Sequence, residues 1–264
     1  METQVFNLFG DEYTIHSGGG LVAKDAHVDD SASIGVGSIV GPNVYIGAGT
    51  MVAESLIFAD SGNTAIRIGV NVVIQKCKID GSCRIGDEAI VRESTITGSP
   101  QIQEGAKVTA SIVANNVIIR GGAKVDDSLL IDNVKVNDKA EVEGSTLTND
   151  ATIGEGAEIE DSIICQHTNV DKGAEVEDSI LIGDVEIGEK CDVEDSVILN
   201  SAEIGDNTKV DGSTIINDVE VGKNCKVDES FLIADVVVAA GTKVSKSTIV
   251  DKINIEPYTP GDDD

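Results

Sequence analysis

Large aromatic side chains are nearly missing from this chain: rings make up 3% of its 264 residues, and there is no Trp. A globular core of this size ordinarily recruits rings. A chain that is 41% hydrophobic without them must build its interior from small, interchangeable aliphatic units. Positive charge is scarce as well, with 19 Lys and Arg against 47 Asp and Glu and a net charge of −28. That balance argues against nucleic acid or an anionic membrane as partner, and admits bound cations, a basic protein or salty surroundings. No run of 18 apolar residues could span a bilayer, and Met1 to Phe9 lacks the basic start and long apolar stretch of a signal peptide. The expectation is a soluble, cytoplasmic protein. The five Cys form no CxxC pair, which fits a reducing compartment without structural zinc. Gly is abundant at 28 residues but lacks the every-third spacing of collagen.

What is present is a repeat. From Ile68, steps of six, five and six residues land on Ile74, Ile79, Ile85, Val91, Ile96 and Ile102, and continue without exception to Val244, Ile249 and Ile255. Two residues earlier, on the same strand face, lies a column of small residues. One side of the period carries Ser94, Ser111, Ser128, Ser145, Ser162, Ser179, Ser196, Ser213, Ser230 and Ser247, and another carries Ala106, Ala123, Ala140, Ala157 and Ala174. Three short strands and three turns per 17 residues describe a three-sided coil. Stacking such coils buries what one coil alone cannot bury. Val22, Val28, Ile34, Val40, Ile46 and Val52 are spaced by six, so the earlier coils are nearer 18 residues.

Residues 1–20 read as an N-terminal cap, 21–255 as the β-helix, and 256–264 as an acidic flexible tail. The rhythm breaks once, at a loop over 59–65, and is strict from 68. The fold class is therefore all-β, a single-stranded parallel β-helix of about 13 to 14 coils with the section of a triangular prism.

Segments such as Ile187-Gly188-Glu189-Lys190-Cys191-Asp192 and Ile204-Gly205-Asp206-Asn207-Thr208-Lys209 resemble the units of the hexapeptide-repeat superfamily. The resemblance covers about residues 21–255 and implies left-handed coiling and a homo-oligomer, often a trimer. Acyltransferases, C-terminal domains of sugar nucleotidyltransferases, γ-class carbonic anhydrases and non-catalytic scaffolds share that fold, so it does not settle function. The stretch from Phe58 to Gly69 is similar to the γ-class carbonic anhydrase loop, with Asp60, Asn63, Arg67 and Gln75 on matching positions. Phe58 replaces that family's loop arginine, and the zinc histidines are missing, with Cys77 to Asp80 where the first would stand.

The three histidines are His16, His27 and His167, too dispersed for three ligands to converge on one zinc ion. Cys77, Cys83, Cys191 and Cys225 occupy inward slots and read as small buried hydrophobes, whereas Cys165 faces out. Acyl transfer in relatives of this kind relies on a histidine base, for which His167 and His27 are the candidates. Nucleotidyl transfer needs a Gly-rich loop between a strand and a helix, a context that Gly18-Gly19-Gly20 lacks.

One outward column is acidic on seven successive coils: Asp126, Glu143, Glu160, Glu177, Glu194, Asp211 and Asp228. Asp127, Asp161, Asp178, Asp195 and Glu229 line up beside it. It reads as a solvated face or as a strip for cations or a basic partner. The leading functional expectation is a non-catalytic scaffold or binding protein, with no cofactor implied. The alternatives are a trimeric acyltransferase with an acyl-CoA donor and a divergent carbonic-anhydrase-like protein without zinc.

Overall fold

The computed structural model describes residues 4–60 and 64–257, which fall into two compact units over 1–139 and 140–264. Residues 61–63 of the expected loop and 258–264 of the expected tail lie outside the described residues. Each unit is an all-β, left-handed parallel β-helix with three-sided coils.

In the first unit the strand Ile66–Ile68 pairs in parallel with Val44–Ile46 on one side and Arg84–Ile85 on the other. Val73–Gln75 lies likewise between Met51–Ala53 and Ile90–Arg92, and Lys78–Gly81 between Leu56–Ala59 and Thr95–Thr97. In the second unit Ile180–Ile182 lies between Ile163–Cys165 and Val197–Leu199. Glu186–Ile187 and Asp192–Glu194 are flanked in the same way by the coils before and after them.

Alternation along each short strand turns the aliphatic column inward. Every member from Ile68 to Val244 is buried, while Ile249 and Ile255 in the last coil are half-buried. The small column is inward too, and its serines are bonded rather than merely small. Ser162 Oγ donates to Glu160 O at 2.8 Å and accepts the Ser179 N–H at 3.0 Å, 17 residues on. The same two bonds recur at Ser196 and Ser213. The buried hydroxyl supplies the acceptor that the next corner's N–H would lack with Ala, while the C=O it donates to also accepts a backbone N–H, as Glu160 O does from Asp178 at 3.2 Å.

The corners explain much of the polar sequence. Asn, Asp, Lys and Glu fill positions with φ near +50°, among them Asn71 (56°), Asp178 (48°) and Asn224 (58°). Asn and Asp accept this left-handed region more readily than most residues.

At the N-terminal end, Val5–Leu8 and Asp11–Ile15 form an antiparallel pair, and Asp11–Ile15 pairs antiparallel with Leu21–Ala23. This hairpin covers an edge that would otherwise offer unpaired backbone groups. The Gly18–Gly20 run belongs to its close packing on the first coil. A Cβ at Gly18 would sit 2.5 Å from Ile34 O, and one at Gly20 2.6 Å from Gly35 O.

Candidate functional site

His167 stands at a corner, with φ 61° directly after Gln166 at 62°. Residues in the equivalent slot of neighbouring coils are Asp150, Asp184, Ser201 and Asp218, all also at positive φ. Its backbone N–H donates to Asn149 O at 3.0 Å. The side chain is 67% exposed, with Nε2 3.5 Å from Asp150 and Nδ1 3.9 Å from Asp184. Both ring nitrogens thus face carboxylates of adjacent coils, and a turn residue tolerant of the left-handed region accounts for the position.

His27 lies in a different setting. Its ring stacks on Tyr45 with centroids 4.7 Å apart and planes at 17°. The Arg67 guanidinium covers Tyr45 at 4.8 Å from the ring centroid. Strand register places Arg84 beside Arg67, and Gln101 beside Arg84. A cleft of about 650 Å³ is lined by His27, Asp29, Tyr45, Gly47 and Arg67. Of the carbonic-anhydrase-like positions, Arg67 belongs to this column. Gln75 projects from a different sheet, Asp60 is exposed beyond Ala59, and Asn63 lies outside the described residues. Among the described residues no group of three or more His, Cys, Asp or Glu could hold a metal ion.

The acidic column is continuous in the second unit, where Glu143, Glu160, Glu177, Glu194, Asp211 and Asp228 are register partners in turn. Glu177 has its carboxyl pushed above the usual range, chiefly by Glu160, with burial, Glu194, Asp178 and Asp195 adding to it. Lysines temper the column further on: Lys209 reaches Asp192 at 2.8 Å and Glu194 at 3.3 Å, and Lys226 lies 3.6 Å from Asp228. In the first unit Asp126 ends the strand Lys124–Asp126. The accompanying acids Asp127, Asp161, Asp178, Asp195 and Glu229 all hold left-handed corners, so turn chemistry explains that second column.

The sequence reading missed the outward face of one sheet. In the second unit Ile163, Ile180 and Val197 are successive register partners on the outside, as are Cys165, Ile182, Leu199, Ile216, Ile233 and Val250. Ile163, Phe231 and Val250 are 43%, 51% and 46% exposed. The signal was in the sequence as uninterrupted aliphatic triplets, Ile180-Leu181-Ile182 and Val197-Ile198-Leu199. Strands covered on both faces read that way.

With the geometry in hand, the matches to known proteins take their place. A family model described as GlmU-like, C-terminal hexapeptide matches residues 95–176, and one described as GMPPB C-terminal domain matches 161–260. The chain has the hexapeptide-repeat fold. No curated protein matches. Among solved structures, the hexapeptide-repeat chain is similar to a putative acetyltransferase from Desulfovibrio desulfuricans G20, at 13% identity over 83% of this chain and with a TM-score of 0.33. It spans 65% of that protein's length, just under two thirds. It is also similar to LpxA, a UDP-N-acetylglucosamine acyltransferase, from Bacteroides fragilis 9343 (14% identity, 64% of this chain and 67% of that one, TM-score 0.27). LpxA from Acinetobacter baumannii matches at 17% identity over 69% of this chain and 66% of its own, with a TM-score of 0.21.

Proposed function

We propose that this hexapeptide-repeat protein is a non-catalytic scaffold that assembles with copies of itself through the apolar outward sheet of residues 140–264. The observation that carries the reading is the segregation of its outer faces. One sheet presents Ile180, Ile182, Val197 and Leu199, while the others present Glu160, Glu177 and Glu194, or Glu186, Glu203 and Glu220. Pairing apolar face with apolar face hides the first and leaves both acidic faces in water, where their repulsion is screened. A second copy supplies that complementary face by symmetry.

The test is the double variant Ile182→Glu, Leu199→Glu. Neither side chain points inward, so circular dichroism should be retained while the particle falls to the 27.5 kDa single chain. An unchanged particle mass would refute the assembly reading.

A second reading, acyl transfer from an acyl-CoA donor, is favoured by His27. Its ring is held in one orientation by Tyr45 and lines a cleft that also offers Arg67 for an anionic substrate group. Consumption of acetyl-CoA in the presence of amine or hydroxyl acceptors, abolished by His27→Ala, would support this reading over the scaffold. No turnover in the intact protein would leave the scaffold standing.

A further inference from the structure

All four arginines of the chain, Arg67, Arg84, Arg92 and Arg120, fall in the first unit. That unit carries 17 acidic against 11 basic residues, net −6, whereas residues 140–264 carry 30 against 8, net −22. In so acidic a chain an arginine should find a carboxylate easily. Yet among the described residues none of the four guanidiniums lies in an ion pair.

Two of these arginines are forced together. Arg67 and Arg84 are register partners on adjacent parallel strands, about 4.8 Å apart in the pairing direction. Like charges placed opposite each other destabilise a sheet unless something neutralises them. Arg67 is also held in place, since its guanidinium lies over Tyr45, whose other face is covered by His27. Stacking uses the flat faces of these groups and leaves the N–H donors at the guanidinium rim free for a partner in the groove.

The surface around the pair is concave. Arg67 is shared by the cleft of about 650 Å³ beside His27 and by one of about 470 Å³ lined by Arg84, Asp87, Gln101 and Glu104. Bare glycines that line these clefts let successive coils approach closely. A Cβ on Gly47 would sit 2.6 Å from Gly69 O, and one on Gly86 2.7 Å from Glu104 N. The carboxylates at the rim include two with bonds of their own. Asp29 accepts from the Ser31 N–H at 2.9 Å and Oγ at 2.6 Å, and Asp87 accepts the Val70 N–H at 2.8 Å.

We propose that Arg67 and Arg84, with Tyr45 and His27 fixing Arg67, form a binding site for a phosphate-bearing small molecule. Planar guanidiniums one strand spacing apart present forked donors suited to one phosphate or to two joined ones. The site is separate from the apolar sheet, and it stands whether or not His27 takes part in transfer chemistry.

Calorimetric titration of the full chain with inorganic pyrophosphate at low salt tests the proposal. Saturable binding at one site per chain is expected, weakened at least about 10-fold by Arg67→Gln or Arg84→Gln and unchanged by Arg92→Gln, which lies on another sheet. No binding by the intact protein overturns the proposal. So does an equal loss in Arg92→Gln, which would mean diffuse attraction. A third outcome also overturns it: Arg67→Gln and Arg84→Gln lower the particle mass but leave pyrophosphate affinity intact, so that the pair engages the acidic surface of a second copy. If the variants misfold, melting of the unaltered protein decides. A higher Tm in pyrophosphate than in sodium chloride of equal ionic strength supports the site, and equal Tm values contradict it.

Discussion

Ser179 Oγ accepts the backbone N–H of Ser196 at 3.0 Å, one coil further on, while donating to Glu177 O at 2.8 Å. The hydroxyl therefore joins successive coils at a corner that the strand ladders do not reach. Ser179→Ala leaves the buried Ser196 N–H without its acceptor, while Glu177 O keeps the Asp195 N–H at 3.2 Å, at a cost of about 1–3 kcal/mol. Ser179→Cys should cost less, because Cys77 fills the same slot in the first unit and its thiol donates to Gln75 O at 3.1 Å. Urea unfolding followed by circular dichroism ranks the two variants.

Glu177 predicts a dependence on pH and salt. Its carboxyl titrates above the usual glutamate range because Glu160 and its other acidic neighbours disfavour the charge. The folded chain therefore binds this proton more tightly than the unfolded chain does. The destabilisation is fully present above the raised folded value and is relieved as pH falls through it towards the ordinary range. Glu177→Gln should accordingly raise Tm at pH 7 and low salt. The gain should shrink at 1 M salt, where screening is short-ranged, and near pH 4. A gain of equal size under all three conditions would assign the effect to something other than charge.

His167 separates turn chemistry from catalysis. With φ at 61°, His167→Asn should leave stability nearly unchanged. His167→Val should cost about 1–2 kcal/mol, the penalty for a side chain that resists the left-handed region. Thermal melts of both variants measure this. Loss of a transfer activity in His167→Asn, with the fold intact, would contradict the structural role.

Thiol reactivity reports on the apolar sheet. Cys83 is fully buried and its thiol is pushed up to about 12 by burial, so it should resist a disulfide reagent in the native protein. Cys77, Cys191 and Cys225 are buried as well. Cys165 is half-buried on the outward apolar face, in register with Ile182. In Ile182→Glu, Leu199→Glu it should react fast, and in the intact protein slowly. Equal rates would mean that nothing covers this face.

The sequence displayed the inward architecture because the aliphatic column recurs on every side of the coils from Ile68, with a small residue two positions before it on most of them. The column from Ile68 to Val244 and the serines from Ser94 to Ser230 are buried accordingly. Handedness was not legible from spacing, which is the same for either hand, and entered through the family resemblance. The apolar outward column was hidden by the inward one, since each aliphatic triplet already had an explanation in its central residue. The His27, Tyr45 and Arg67 stack was hidden for another reason. These residues stand 18 and 22 positions apart, because the loop after Ala59 falls between the last two, so no constant period aligns them. The corner residues, His167 among them, were visible as polar outliers. Only their backbone angles showed why polar residues stand there.

Sedimentation equilibrium of the unaltered protein, over a range of concentrations at physiological salt, tests the central claim most directly. The account predicts a mass of two or more whole chains of 27.5 kDa, with a trimer the form that the family resemblance implies. A single species of 27.5 kDa at every concentration would contradict it.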